Sequence, residues 1–168
     1  MWGTVRKDIC KTAEGKIINP YFVYEFPTWV SAVAITREGK IIMERQYRYA
    51  LDLTCFEIPG GCVDETDKSL DDAIARELME ETGYRFSNYE YLGKISSNPS
   101  TNNNWMHMYL ATGGVYEKKQ ELDHNEEIEI YLLSLEEVKQ LLRDNQIVQS
   151  MHVTTLFYAL AKMKDLLY

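Results

Sequence analysis

The alternation of apolar and polar residues predicts a series of short strands in the first part of the chain. Residues 3–10 and 17–26 alternate loosely around a turn signal at residues 14–16, which predicts a β-hairpin. Residues 29–36 form an almost continuous apolar, β-branched run, which is typical of a strand buried on both faces. Two further strands are predicted at residues 41–47 and 55–59.

The period then changes to that of an amphipathic helix over residues 69–82. Ser69 and Asp72 form a capping-box pair at its start, and Gly83 stands where a left-handed C-cap residue is expected. One helical face carries the apolar residues Leu70, Ala73, Ile74 and Leu78.

Three more strands and two helices complete the predicted pattern. The strands are expected at about residues 89–95, 105–111 and 127–133, and the helices at residues 135–144 and 150–167. Because strands and helices are interleaved without a regular βαβ rhythm, we expect an α/β (α+β) fold, with a mixed β-sheet flanked by helices and the hairpin as an N-terminal arm. No linker-like segment interrupts the chain, so we expect one domain.

Composition and charge indicate a folded protein that does not bind nucleic acids or membranes. Apolar residues make up 45% of the 168 residues, which is enough for a sizeable core and excludes intrinsic disorder. The formal net charge is −8, and a chain this acidic repels nucleic-acid backbones and anionic membranes. We therefore expect neither partner. An anionic substrate would need local cations, from side chains or from a metal.

The cysteines indicate a reducing compartment. Cys10, Cys55 and Cys62 form no C-x-x-C pair, and their odd number fits no closed disulfide framework. Reduced thiols are therefore expected. No signal-peptide pattern and no long uncharged apolar segment is found, so the sequence predicts a cytoplasmic protein.

The most informative segment is RELMEETGY, residues 76–84, at the end of the first helix. Residues three and four apart share a helical face, so Glu77, Glu80 and Glu81 converge. Three like charges in a last helical turn repel each other and oppose the helix dipole. Such a run can be a solvated acidic face, but a bound divalent cation would reverse its electrostatic cost. Carboxylates are the hard ligands that Mg²⁺ and Mn²⁺ prefer.

Together with the preceding Gly60 and Gly61, this segment resembles the Nudix box, the sequence motif of the Nudix hydrolase family. The chain departs from the family pattern in two ways. Asp67 stands where the family has a glutamate, and the spacing from Asp67 to Arg76 is one residue longer. In the family that glutamate supports the loop before the helix.

The resemblance implies an α/β/α sandwich and a hydrolase that cleaves a nucleoside diphosphate linked to another group. It implies Mg²⁺, or alternatively Mn²⁺, as the cofactor, and the family's metal-binding positions fall on Gly61, Glu77, Glu80 and Glu81. It places Glu80 and Arg76 in the catalytic machinery, where Arg76 holds the first glutamate of the box in position.

A wider resemblance, over about residues 28–146, is to the ADP-ribose pyrophosphatase branch. It rests on the run RQYRY at residues 45–49 and the run FEIPGG at residues 56–61. In that branch the arginine at the Arg48 position contacts substrate phosphates, and the glutamate at the Glu57 position lies by the metals or the terminal ribose. A lone arginine can be a surface cation, whereas burying Glu57 without a partner would be costly and favours a functional role.

Two later loops match functional loops of that branch. The segment at residues 98–104 corresponds to a substrate loop, so Pro99 and Asn103 are predicted to bind the substrate. The acidic segment at residues 123–129 corresponds to a mobile loop that supplies a general base. Glu126 aligns best with that base and Glu127 is the next candidate, whereas Glu129 is expected within the following strand. Without the resemblance, both segments would be interpreted as ordinary solvated loops.

In that branch, residues 1–28 correspond to an arm that packs or swaps between two subunits, which implies a homodimer. Residues 29–168 correspond to the hydrolase domain with its C-terminal helix.

Four aromatic residues are candidates for stacking a purine: Trp2, Tyr21, Tyr24 and Trp29. Each could equally pack in the core or in the dimer contact.

The expected reaction is hydrolysis of ADP-ribose to AMP and ribose 5-phosphate. The alternatives are another small nucleotide substrate, such as GDP-mannose, an oxidised nucleotide or a dinucleotide, or a Nudix domain that senses a nucleotide without turnover.

Overall fold

The structure is a computed structural model that describes residues 3–165. Strands β1 (Thr4–Lys11) and β2 (Ile17–Glu25) form a separate two-stranded antiparallel sheet, which is the predicted hairpin. Each strand end lies within one residue of its predicted position.

The remaining elements form the body of the molecule. Its strands are β3 (Trp29–Thr36), β4 (Ile41–Arg48), β5 (Leu53–Glu57), β6 (Gly60–Cys62), β7 (Tyr84–Arg85), β8 (Asn88–Ile95), β9 (Met106–Tyr116) and β10 (Ile128–Leu133). Its helices are α1 (Leu70–Thr82), α2 (Leu135–Arg143) and α3 (Ser150–Lys162), with a 3₁₀ turn at Tyr49–Leu51.

The main sheet is mixed, as predicted. Its strand order is β10-β4-β3-β9-β7, and β5, β6 and β8 pair with β4, β3 and β9 respectively. Strand β3 runs parallel to β9 and antiparallel to β4 and β6. This places β3 at the centre of the sheet, which explains its continuous apolar sequence.

Side chains of β3 alternate between two cores. Val30, Ala32 and Ala34 pack with Ile74 and the rest of the apolar face of α1. Val33, one residue out of phase, packs on the opposite face with residues of α2 and α3. The expected α/β/α sandwich is confirmed, since one sheet separates two helical layers.

Helix α1 is held at both ends as its sequence predicts. The Ser69 hydroxyl accepts a hydrogen bond from the Asp72 amide at 3.1 Å, which is one half of the capping box. Gly83 ends the helix with φ = 74°, a left-handed conformation that glycine adopts without strain. These caps fix where the acidic end of the helix lies.

Several element bounds differ from the prediction. Strand β5 ends at Glu57 rather than Pro59, because proline has no N–H to donate to a strand ladder, and Gly60–Cys62 forms an additional short strand on β3. Strand β9 continues to Tyr116, where it pairs with the unpredicted β7. Helix α3 ends at Lys162, and residues 166–168 lie outside the described part of the chain.

Cys10, Cys55 and Cys62 are free thiols, as predicted. Within residues 3–165, no helix has the length and apolar character needed to span a bilayer.

Candidate active site

The acidic motif lies along the C-terminal half of α1 and faces a cleft of about 640 Å³. Glu77 and Glu81 follow the fully buried Ile74 and Leu78 by three positions, so they lie at the edge of the buried helix face, beside this cleft. Glu81 is buried, Glu77 is largely buried and Glu80 is more exposed. The three glutamates therefore form a graded set, from the base of the cleft to its rim.

Strand β6 forms the opposing wall, and its two glycines are required there. The Gly60 N–H donates to a Glu81 carboxylate oxygen at 2.7 Å. A Cβ on Gly61 would lie 2.6 Å from the Glu77 carboxyl carbon, and one on Gly60 would lie 2.2 Å from the Val30 carbonyl oxygen. The absence of side chains lets the strand backbone lie close to the Glu77 and Glu81 carboxylates.

Arg76 connects the loop before α1 to the glutamates. Its guanidinium donates to both carboxylate oxygens of Asp67, at 3.0 and 2.9 Å, and to Glu77 at 3.1 Å and Glu80 at 2.9 Å. It also donates to the Cys62 carbonyl at 2.9 Å. The Asp67 carboxylate thus occupies the loop-supporting position that the resemblance implied.

Burial makes the glutamates unfavourable sites for negative charge. Burial raises the pKa of Glu77 to about 7, and burial together with the charge of Glu44 raises the pKa of Glu81 well above its ordinary value. A cation placed among them would favour the ionised forms.

The donor set suits a hard divalent ion, although it is not a closed ligand cage. Among residues 3–165, no three His, Cys, Asp or Glu side chains already converge as metal ligands. Glu77 and Glu80 bind Arg76 instead. Clustered oxygen donors with room beside them fit Mg²⁺, which keeps several waters and shares substrate phosphates rather than occupying an all-protein cage.

Glu44 is another buried acid, and the sequence prediction missed it. It lies on β4 directly across from Glu57 on β5, and it is only 4% exposed. Its Oε1 atom has no hydrogen-bond partner, and burial raises its pKa well above the ordinary value. The sequence carried one signal for it, since Glu44 directly follows the apolar run Ile41–Met43, which continues a buried strand.

Glu57 is buried with a partner, Arg48. The Arg48 Nε donates to Glu57 Oε1 at 2.7 Å, and its Nη2 binds the other oxygen, so the pair is bidentate. Burial acts to raise the pKa of Glu57, but the hydrogen bonds from Arg48 and its charge act against burial, and the pKa is lowered from its ordinary value. Glu57 therefore stays ionised and holds the Arg48 guanidinium at the wall of the cleft.

Glu126 lies on a loop turn that faces the glutamates across the cleft. The turn is closed by the Glu126 N–H, which donates to the Asp123 carbonyl at 3.0 Å, and by the Asp123 N–H, which donates to the Glu126 carboxylate at 3.2 Å. Its charge contributes to the raised pKa of Glu77. Glu129 lies on β10 and accepts a hydrogen bond from the Tyr131 hydroxyl.

The structure brings most of the predicted site residues to this one cleft. The predicted residues that line it are Arg48, Gly61, Arg76, Glu77, Glu80, Glu81 and Glu126.

Pro99 and Asn103 do not line the cleft; their loop packs on the hairpin instead. The Tyr24 N–H donates to the Thr101 carbonyl at 2.7 Å, and the Asn103 N–H donates to the Tyr24 carbonyl at 3.2 Å. The Tyr21 hydroxyl binds the Ser100 carbonyl. Of the aromatic candidates, Tyr21 therefore uses its side chain for the hairpin–loop contact, whereas Tyr24 makes this contact through its backbone and its ring is stacked on Phe26, with ring centroids 6.3 Å apart. Trp2 lies outside the described residues.

The family model for the NUDIX domain matches residues 26–152, which include this cleft. The chain belongs to the Nudix family. An ADP-ribose pyrophosphatase of Bacillus subtilis (strain 168) is 33% identical over 126 residues, which is 74% of this chain and 68% of the relative. A methanol dehydrogenase activator of Bacillus methanolicus is also 33% identical, over 137 residues, 81% of this chain and 74% of the relative.

The Nudix fold is supported independently by a solved structure. The crystal structure of an ADP compounds hydrolase superposes with a TM-score of 0.83 and 24% sequence identity, covering 96% of this chain and 86% of the other. The chain is therefore a Nudix hydrolase related to ADP-ribose pyrophosphatases.

Proposed function

We propose that this Nudix hydrolase cleaves the diphosphate of ADP-ribose, giving AMP and ribose 5-phosphate, with Mg²⁺ as its cofactor and Mn²⁺ as an alternative. The observation that carries the proposal is that the Glu77, Glu80 and Glu81 carboxylates share one cleft with the Arg48 guanidinium. Carboxylates attract the cation that a diphosphate carries, and the guanidinium binds a phosphate directly.

The metal would be held by Glu77, Glu80, Glu81 and the Gly61 carbonyl. A bound divalent cation would polarise the phosphoryl oxygens and lower the pKa of the attacking water. Arg76 holds Glu77 and Glu80 in position through its two hydrogen bonds. If these carboxylates held a cation instead, the two hydrogen bonds to Asp67 would keep Arg76 in place.

Arg48 would bind the substrate phosphates. Its charge is secured by the bidentate contact with Glu57, and its side chain is 41% exposed toward the cleft. A guanidinium held on one edge by a carboxylate still has N–H groups on its other edge for a phosphate. Glu57 therefore positions Arg48 for the substrate.

Glu126 would be the general base. It faces the box glutamates across the cleft from the loop turn at residues 123–126. The Glu126 carboxylate would take a proton from water as the water oxygen bonds to one phosphorus. The P–O bond to the bridging oxygen breaks, so one water is consumed and two phosphomonoesters are released.

We also propose that residues 1–28 form a dimer contact and that residues 29–168 form the hydrolase domain. The hairpin exposes large apolar side chains, among them Val5, Ile9 and Phe22, which favours contact with a second copy of the chain. Pro99 and Asn103 are attached to this hairpin, so we propose that their contact with the substrate depends on the dimer.

We propose that the protein binds neither nucleic acid nor membranes, because its net charge of −8 repels both of these anionic partners. The three free thiols favour the reducing environment of the cytoplasm.

The direct test is phosphate release from a substrate panel with a coupled phosphatase. ADP-ribose, GDP-mannose, an oxidised nucleoside triphosphate and a dinucleotide would each be offered with Mg²⁺ or Mn²⁺. We expect fast turnover of ADP-ribose. Faster turnover of another compound would reassign the substrate. No turnover, together with stabilisation of the fold by Mg²⁺, would identify a nucleotide sensor.

A further inference from the structure

A second cavity, of about 210 Å³, adjoins the acidic cleft. Arg48 and strand β6 line both spaces, so the two cavities share a wall. A molecule that occupies the second cavity can therefore reach the Arg48 guanidinium and the glutamates behind it. Two residues with a predicted role in substrate binding line this second cavity, Arg48 and the stacking candidate Trp29.

The lining of this cavity suits a flat aromatic ring. Trp29 on β3 and Met106 on β9 are register partners in the parallel strand pair, and both line it, together with Met151 from α3. The Trp29 ring is itself supported by Phe26, with ring centroids 5.5 Å apart. Indole and thioether groups are polarizable surfaces that pack well against heterocycles.

Two polar atoms in this wall lack partners. Gln149 Oε1 and His152 Nδ1 are both buried and make no hydrogen bond. Gln149 is the N-cap residue of α3, yet its side chain makes no capping hydrogen bond. Buried polar atoms are normally paired, so two orphaned atoms beside one cavity indicate a missing hydrogen-bonding group.

His152 is held neutral, which suits a hydrogen bond to an uncharged ring. The residue is 6% exposed, and its Nδ1 lies 3.7 Å from Glu57 Oε2, beyond hydrogen-bond distance. Burial lowers the pKa of His152 to about 4. Its imidazole therefore offers a lone pair or an N–H rather than a charge.

The volume of the second cavity is sufficient for only one part of a nucleotide, a single ring system. At about 30 Å³ per water molecule it has room for about seven waters. Whole small-molecule sites are typically larger, about 300–1,000 Å³. The second cavity therefore fits one ring system, while the larger acidic cleft has room for the phosphates and the sugars.

We propose that this cavity is the nucleobase subsite, and that it takes an amino-bearing base against Trp29 and Met106 with hydrogen bonds to Gln149 and His152. This inference rests on the proposed function, in which the base is adenine. Gln149 Oε1 accepts from the exocyclic amine, and His152 Nδ1 bonds a ring nitrogen through its lone pair or N–H. Because Arg48 lines both cavities, a base seated here places its phosphates beside the glutamates.

The test measures binding of AMP without metal, in EDTA, through the fluorescence of Trp29 in a Trp2→Phe, Trp105→Phe background. Two matched ligands isolate the base: ribose 5-phosphate lacks it, and IMP replaces its exocyclic amine by a carbonyl. We expect AMP to change Trp29 fluorescence, IMP to bind at least tenfold more weakly, and ribose 5-phosphate to leave the signal unchanged.

Gln149→Leu is the matching variant, with the exposed Gln146→Leu as its control. We expect Gln149→Leu to weaken AMP binding at least tenfold while the melting temperature and its rise with Mg²⁺ stay at wild-type values. Wild-type AMP affinity in folded Gln149→Leu, or a Trp29 signal from ribose 5-phosphate, would overturn the subsite. If AMP binds as expected but ADP-ribose is not hydrolysed, the subsite stands and the proposed function fails.

Discussion

The Arg76 guanidinium donates two parallel hydrogen bonds to the Asp67 carboxylate, from Nε to Oδ1 at 3.0 Å and from Nη2 to Oδ2 at 2.9 Å. Asp67 also accepts a hydrogen bond from the Asp64 N–H at 2.8 Å. The chain has a shorter acid here than the Nudix pattern and one additional residue before Arg76. The additional residue thus coexists with a closed contact between the acid and the arginine.

Removing this contact should loosen the loop before α1. The Asp67 side chain is nearly buried, and a hydrogen bond to a charged group contributes about 1.5–3 kcal/mol. We expect Asp67→Ala to lower the free energy of unfolding by about 2 kcal/mol in urea titrations, and to lower kcat because Arg76 loses its anchor. Glu65→Ala, an exposed neighbour in the same loop, is the control. Equal urea midpoints for Asp67→Ala and wild type would contradict this role.

Glu81→Gln should separate catalysis from stability. The amide keeps an oxygen for the Gly60 N–H but removes a negative charge that burial and Glu44 disfavour. We expect turnover to fall by orders of magnitude while the melting temperature without metal stays the same or rises. The exposed Glu38→Gln is the control for loss of one charge. Wild-type turnover in Glu81→Gln would refute the metal assignment.

His152 should make the fold less stable in mild acid. Its folded pKa of about 4 lies below the ordinary value of 6.5, because burial disfavours the imidazolium despite the nearby Glu57 charge, and Arg48 adds repulsion. As the pH falls from 6.5 to 4, the His152 imidazole therefore binds a proton in the unfolded chain but stays neutral in the folded chain. This difference lowers the free energy of unfolding.

We expect the free energy of unfolding of the wild type to fall by about 2 kcal/mol more than that of His152→Leu between pH 7 and pH 5. Comparing the two proteins in urea at both pH values cancels the titration of the carboxylates. Parallel pH dependences would show that His152 is not held neutral by the fold.

The hairpin should control assembly. Ile9 on β1 is 69% exposed, and a charge there would disrupt an apolar contact between two chains. We expect Ile9→Asp, and deletion of residues 1–26, to give a monomer in sedimentation velocity with a raised KM. Glu14→Lys in the turn of the same hairpin should leave the dimer intact. A truncated protein that stays dimeric with a normal KM would refute the role of the arm.

Most of the fold could be predicted because its elements satisfy local rules. The apolar run at residues 29–36 must be buried on both faces, and Ser69 and Gly83 mark the ends of α1 through local hydrogen bonding and backbone conformation. Strands β6 and β7 were missed because they have three and two residues and are defined by their partners on β3 and β9. Such short strands have no periodicity of their own.

The site residues likewise fall into two groups, those whose proximity follows from local sequence spacing and those that tertiary packing brings together. Glu77, Glu80 and Glu81 are neighbours on one helix, so their spacing alone predicts that they converge. Glu44 faces Glu57 only through the register of β4 with β5, and His152 meets Glu57 only because α3 packs over the same part of the sheet. Contacts between residues so far apart in sequence depend on tertiary packing, and one sequence carries no local signal for them.

The most direct test of the central claim is the fate of ADP-ribose, followed by ³¹P NMR with millimolar Mg²⁺ and with EDTA in parallel. The account predicts that with Mg²⁺ the diphosphate signals are replaced by those of AMP and ribose 5-phosphate in equal amounts, and that EDTA stops the reaction. Diphosphate signals that persist with Mg²⁺, or products that form equally fast in EDTA, would contradict it.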